Sequence, residues 1–131
     1  MNKDLTVIVT DDDEGHTILM KRTLQRLGIT NIVAFNNGQD TLDFFYEKNF
    51  SNGNKYILLL DLRMPEITGL DVLKEIKSST KLKNIPVIIV TTTDDPTEMD
   101  LCHKIGCNYY LIKPIEMENF VQAFQSVGAF N

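Results

Sequence analysis

Five short apolar runs punctuate the chain: Leu5 to Val9, Asn31 to Phe35, Tyr56 to Leu60, Pro86 to Val90 and Tyr109 to Ile112. They are rich in Val, Ile, Leu and Tyr, and they are continuously apolar rather than alternating. That is the pattern of strands covered on both faces. Between them lie segments whose apolar residues recur at helical spacing. The first carries Met20, Leu24 and Leu27, with His16 on the same stripe, and stops at Gly28, read as a C-cap. The second runs from about Gln39 to Tyr46, with Leu42, Phe45 and Tyr46 as its apolar face. The third, from about Thr68 to Ser78, carries Leu70, Leu73 and Ile76. The fourth, from about Pro96 to Ile105, carries Met99, Cys102 and Ile105 and ends at Gly106. The fifth, from about Glu116 to Val127, carries Phe120, Val121, Phe124 and Val127.

Strand and helix thus alternate five times, which predicts an α/β fold: a doubly wound, five-stranded parallel sheet with helices on both faces. The segment from Lys48 to Lys55 (KNFSNGNK) reads as loop, with Ser, Asn and Gly together. No internal repeat, low-complexity tract or linker interrupts the pattern.

In an open, doubly wound sheet, ligands sit at the carboxyl ends of the strands, near the switch in strand order. The residues that follow each apolar run therefore matter most. After the first come Thr10-Asp11-Asp12-Asp13-Glu14, and after the third Asp61-Leu62-Arg63-Met64-Pro65. After the fourth come Thr91-Thr92-Thr93-Asp94-Asp95, and after the fifth Lys113-Pro114. The second run is followed by Asn36-Asn37-Gly38, a plain turn.

This topology brings Asp11, Asp12 and Asp61 to one end of the sheet. Like charges crowded in this way repel unless they are protonated or bridged by a cation. Three hard oxygen ligands suit Mg²⁺ or Mn²⁺, and no His/Cys cluster favours zinc. A metal-bound carboxylate near a lysine and a threonine points to phosphoryl chemistry, in which metal and ammonium neutralise the oxygens of the transferring group. Asp61 is the best nucleophile, since it directly follows the central apolar run Ile57-Leu58-Leu59-Leu60. Lys113 supplies a point charge and donors, and Thr91 a hydroxyl for a phosphate oxygen.

Composition narrows the field. The chain has 131 residues, the size of one domain, which leaves no room for a separate output domain. Hydrophobic residues make up 43% and charged residues 24%, which argues against disorder and coiled coil. A net charge of -5 weakens any case for nucleic-acid or anionic-membrane binding. No run approaches the ~18 apolar residues of a membrane span, and Leu5 to Val9 is too short for a signal peptide's core, which implies the cytoplasm. Cys102 and Cys107, spaced i, i+5, match no zinc or redox motif and are expected to be free, packed thiols.

These pieces resemble a response-regulator receiver domain over about Leu5 to Val127. The matching segments are T-D-D at 10–12, L-L-D-L-R-M-P at 59–65 with Gly69 four residues on, V-T at 90–91, and Y-L-I-K-P at 110–114. The intervals from Asp61 to Thr91 and from Thr91 to Lys113 also match those of the chemotaxis response regulator. The resemblance implies a flavodoxin-like fold with strand order 2-1-3-4-5, present here as a single receiver domain spanning 1–131. It implies a role in two-component signal transduction rather than turnover of a separate substrate. By position, Asp61 resembles the phosphoacceptor. Asp11 and Asp12 match the acidic pair that holds Mg²⁺ (or Mn²⁺), with Arg63 lending its backbone carbonyl. Thr91 matches the switch hydroxyl, Lys113 the lysine that contacts the phosphoryl group, and Tyr110 the aromatic switch that moves with Thr91. The Lys113–Pro114 bond is usually cis in the family. The implied partners are a sensor histidine kinase or a histidine phosphotransfer protein, and a downstream protein of unknown identity.

A finer resemblance is to single-domain regulators paired with phytochrome-type histidine kinases. It rests on P-V-I-I-V-T-T-T at 86–93, N-Y-Y-L-I-K-P at 108–114 and the long loop around Asn52. In those proteins the face made by the fourth helix, fifth strand and fifth helix often dimerises, so a homodimer through that face is an expectation. Thr92 stands where many receivers carry a smaller residue, and Arg63 and Thr93 occupy positions that tune self-dephosphorylation.

Simpler roles compete at several positions. Asp13 or Glu14 is expected to cap the first helix, and Thr93 or Asp94 the fourth. His16 is expected to pack or cap rather than to join the chemistry. His103 reads as a surface residue, and Phe120, Phe124 and Phe130 as core and end-packing. Three other functions fit the fold less well. A haloacid-dehalogenase-like phosphatase would need a second Asp where Arg63 stands. A flavodoxin-like cofactor binder would need small residues in a first loop that is instead Asp-Asp-Asp-Glu. A scaffold that is never phosphorylated would not need the full set of Asp11, Asp12, Asp61, Thr91 and Lys113.

Overall fold

The computed structural model describes residues 4–48, 50 and 55–129. Most of the loop expected between Lys48 and Lys55, and Phe130, lie outside the described residues. The elements alternate as β1 (Leu5–Thr10), α1 (Glu14–Arg26), β2 (Ile32–Phe35), α2 (Gly38–Tyr46), β3 (Lys55–Leu60), α3 (Gly69–Ser78), β4 (Val87–Thr91), α4 (Pro96–Ile105), β5 (Tyr109–Ile112) and α5 (Met117–Ser126). The five strands form one parallel sheet in the order β2-β1-β3-β4-β5, as expected from the resemblance. No described helix is long and apolar enough to cross a membrane.

The continuously apolar runs have a simple physical cause. Side chains alternate across a strand, and both faces of this sheet are covered. On one face Ile8, Leu58, Leu60, Val87 and Ile89 pack with Leu42 and Phe45 of α2, Val72, Leu73 and Ile76 of α3, and Cys102 of α4. On the other, Val7, Val9, Ile57, Leu59, Ile88 and Val90 pack with Met20 and Leu24 of α1 and Phe120, Ala123 and Phe124 of α5. Each such Val, Leu, Ile, Phe or Met side chain withdrawn from water contributes about 1.5–3 kcal/mol. The edge strand β2 departs from this pattern. All four of its residues are half-buried, because it has a neighbour on one side.

Local chemistry fixes the helix ends. Asp13 caps α1, its side chain accepting from the His16 N–H, in line with expectation. Thr68 and Asp71 form a reciprocal capping box at the start of α3. Gly28 and Gly106 take positive φ (85° and 124°) just beyond α1 and α4. Two expectations need correction. The cap of α4 is Asp95, not Thr93 or Asp94, because Pro96 begins the helix and the residue before it supplies the side-chain acceptor for Thr97 N–H. Tyr46 is 41% exposed rather than part of an apolar face, and its hydroxyl bonds Glu75. Both cysteines are free and buried.

Candidate functional site

The parallel ladder continues past the strand ends and sets the site residues side by side. Asp61 N–H donates to the Thr10 carbonyl at 3.0 Å, and Lys113 N–H to the Thr91 carbonyl at 2.7 Å. Asp11 follows β1, Asp61 follows β3, Thr91 ends β4 and Lys113 follows β5. All four therefore stand at one end of the sheet, where β1 lies between β2 and β3 and the order reverses. Beneath them the hydroxyls of Thr10 and Thr41 meet at 2.6 Å in the buried interior.

Asp11, Asp12 and Asp61 converge, with one carboxylate oxygen from each lying within 4.8 Å of the others. Asp11 and Asp61 are buried and Asp12 is exposed. The Lys113 ammonium sits between the two buried carboxylates, 2.6 Å from Asp11 Oδ2 and 3.5 Å from Asp61 Oδ2. Backbone amides steady the far oxygens: Asp13 N–H donates to Asp11 Oδ1 at 2.9 Å and Arg63 N–H to Asp61 Oδ1 at 3.2 Å. Burial pushes the Asp61 carboxyl above the usual carboxylate range. The Lys113 ammonium opposes that rise, and the neighbouring Asp11 carboxylate adds to it. Three hard oxygen donors brought this close together fit a divalent ion of the Mg²⁺ or Mn²⁺ class.

Thr91 is fully buried, and its Oγ1 meets the Thr93 N–H at 3.5 Å. Tyr110 on β5 is half-buried, and its hydroxyl donates to the Thr93 carbonyl at 3.1 Å. Tyr110 thus joins β5 to the loop that leads from Thr91 into α4. The Arg63 guanidinium, 65% exposed, pairs with Glu98 on α4 at 3.0 Å. A solvent-facing, ion-paired guanidinium cannot replace the second Asp of a haloacid-dehalogenase-like site. The first loop likewise cannot cradle a cofactor phosphate, since it lines up carboxylates and Asp13 already occupies the start of α1. The Lys113–Pro114 bond is cis, as the resemblance implies.

Sequence reasoning missed one residue. His16, expected to pack or cap, places its ring Nδ1 2.9 Å from the Lys113 Nζ. The available signal was position: three residues beyond the Asp13 cap is the first turn of α1, at the same end of the sheet as Lys113.

Comparison with known proteins agrees with this geometry. The family model described as "Response regulator receiver domain" matches residues 7–125. The chemotaxis protein CheY1 of Helicobacter pylori is 33% identical over 84% of this chain and 86% of its own. The bacteriophytochrome response regulator RtBRR superposes with a TM-score of 0.82 at 30% identity, covering 96% of this chain and 79% of that one. The Mn²⁺-bound form of the response regulator Rcp1 superposes with a TM-score of 0.73 at 25% identity, covering 95% and 93%. With fold, site and relatives in agreement, the chain belongs to the response regulator receiver domain family and serves two-component signal transduction.

Proposed function

We propose that Asp61 is the phosphoacceptor, taking a phosphoryl group from a phosphohistidine of a sensor histidine kinase or a histidine phosphotransfer protein. A carboxylate oxygen of Asp61 bonds phosphorus as the P–N bond breaks, and the electron pair of that bond returns to the donor imidazole. The observation that carries this reading is the Lys113 ammonium held between Asp11 and Asp61, with Asp12 beside them. Asp11, Asp12, Asp61 and the Arg63 backbone carbonyl would hold Mg²⁺ (or Mn²⁺), which supplies charge neutralisation to the phosphoryl oxygens. Lys113 donates N–H bonds to one of those oxygens, and Thr91 offers its hydroxyl to another.

The added dianion then draws Thr91 toward it. The Tyr110–Thr93 contact lies on the same loop, so the change at Thr91 reaches β5 and α4. On this reading residues 1–131 act as a single receiver domain, in the cytoplasm. Output comes through contact with a downstream protein rather than through nucleic acid, membrane or turnover of a separate substrate. Exposed Leu101, Ile112 and Met117 give the α4–β5–α5 face an apolar surface suited to a homodimer. The likeness to RtBRR supports a phytochrome-type kinase as the phosphoryl source.

Incubation with acetyl phosphate and Mg²⁺, read by intact mass, tests the site. The expected result is one added phosphoryl mass on the wild type and none on Asp61→Asn. An unlabelled wild type, or equal labelling of both, overturns it.

A further inference from the structure

His16 has no part in the roles proposed above, yet its ring touches the ammonium at their centre. An ammonium has three N–H bonds and no acceptor. Lys113 has three partners within reach: Asp11 Oδ2 at 2.6 Å, His16 Nδ1 at 2.9 Å and Asp61 Oδ2 at 3.5 Å. The two short bonds go to Asp11 and His16, and the long one to Asp61. Since the ammonium only donates, Nδ1 must accept, and the ring proton belongs on Nε2. Nε2 faces Asp13 Oδ2 at 3.9 Å, while Asp13 Oδ1 accepts from the His16 backbone N–H at 3.0 Å. Asp13 therefore holds the residue by its backbone and faces the far side of its ring.

We infer that His16 is a positioning residue for Lys113: its Nδ1 draws the ammonium to the side of the site away from Asp61 and keeps space beside that carboxylate for an incoming phosphoryl oxygen. The inference rests on the reading of Asp61 and Lys113 as the phosphoryl site. Its physical basis is a competition for three N–H bonds. Without an acceptor at Nδ1, the two partners left to the ammonium are both carboxylates. In a site where the Lys113 side chain is 11% exposed, attraction between opposite charges closes the 3.5 Å gap to Asp61. The ammonium would then neutralise the nucleophile and fill the space the phosphoryl group must enter. His16 acts on the reaction through Lys113, without touching the reacting atoms.

Two measurements test this. The first uses wild type without metal at mildly alkaline pH. Long-range nitrogen–proton NMR should find His16 unprotonated at Nδ1 and protonated at Nε2. The Lys113 ammonium protons should exchange slowly, and faster in His16→Leu. A ring protonated on Nδ1, or ammonium exchange unchanged in His16→Leu, overturns the inference.

The second compares initial rates of labelling by acetyl phosphate with Mg²⁺. Leucine fills the ring's volume without an acceptor, whereas asparagine places a carbonyl oxygen near the position of Nδ1. His16→Leu should be slower by about tenfold, and His16→Asn should stay within about twofold of wild type, the size expected for one charge-assisted hydrogen bond. Equal loss in both variants, or a wild-type rate in His16→Leu, overturns the positioning role. At 40% side-chain exposure His16 is outside the core, and matched thermal melts confirm that both variants are folded. Failure of the site reading itself looks different. The wild type then takes up no phosphoryl mass, which also removes the purpose assigned to His16, while the tautomer still reports whether the contact exists.

Discussion

A Cβ on Gly69 would lie 2.0 Å from the backbone carbonyl oxygen of Asp61. The first residue of α3 therefore packs directly on the main chain of the proposed phosphoacceptor, and Gly69 N–H bonds the Leu62 carbonyl at 3.1 Å. No flexible side chain stands between them to give way. Gly69→Ala must move α3 or the Asp61 backbone, costing about 2–3 kcal/mol or more by the ordinary scale of core overpacking. Urea unfolding measures that cost. Labelling by acetyl phosphate should fall as well, because the displaced atoms belong to the residue of the proposed nucleophile. A variant within about 0.5 kcal/mol of wild type would contradict the close approach.

Tyr110 offers a milder perturbation. Its hydroxyl donates to the Thr93 carbonyl at 3.1 Å, and Phe keeps the ring while removing that bond. Tyr110→Phe should cost about 1 kcal/mol in urea unfolding, the usual net value of one hydrogen bond, since the half-buried carbonyl can find water instead. Amide exchange in the loop from Thr92 to Asp95 should quicken, because the bond ties that loop to β5. Unchanged exchange there would show that Tyr110 does not restrain it.

Cys107 sets a pH dependence of stability. Burial pushes its thiol up to about 12, with Cys102 nearby adding to the shift and Lys77 opposing it. A raised acid pKa means that the folded thiol keeps its proton while the unfolded one ionises from its ordinary value of about 8.5–9. The resulting stability is fully present below that value and is lost as pH rises toward about 12. Wild type and Cys107→Ala should therefore differ most in unfolding free energy below about pH 8 and converge as pH rises from 9 to 11. A constant difference across that window would refute the buried, protonated thiol. The same burial predicts slow reaction with a thiol reagent in the native protein and rapid reaction in urea.

How much of this was legible in the sequence depends on the kind of interaction. The sheet was legible because a two-sided sheet needs apolar residues at successive positions, as in Ile57-Leu58-Leu59-Leu60, and such runs carry a strong signal. Asp11, Asp12, Asp61, Thr91 and Lys113 were legible because a parallel sheet carries every strand's C-terminal end to one side. Their arrival there needs no knowledge of side-chain conformation. His16 was not legible as a site residue, because its contact with Lys113 depends on a ring rotamer and on partners 97 residues apart. The α4 cap slipped by a residue for a related reason. Thr93, Asp94 and Asp95 are all good caps by composition, and the position of Pro96 decides among them. Tyr46 followed the apolar stripe in sequence, but its hydroxyl sought Glu75 on the neighbouring helix.

The acidic cluster sets function against stability. Asp61 is buried beside Asp11, and one ammonium serves both carboxylates. Removing one negative charge relieves repulsion and desolvation together, so Asp61→Asn should be more stable than wild type in the absence of divalent metal, by about 1 kcal/mol. Lys113→Ala should do the opposite, leaving buried carboxylates without their cation, at a cost of about 3 kcal/mol or more. Divalent metal should narrow these differences. A ligand that binds only the folded state stabilises by RT ln(1 + [L]/Kd), so above Kd the melting temperature of wild type should climb with the logarithm of Mg²⁺ concentration. That rise should be larger in Lys113→Ala, where the metal replaces the lost positive charge, and smaller in Asp61→Asn, where a proposed ligand loses its charge. Thermal melts over a Mg²⁺ series, with Ca²⁺ as a second oxygen-seeking ion and NaCl holding ionic strength constant, separate specific binding from screening. Equal shifts in all three proteins would mean that the cation acts on the surface at large rather than at the cluster.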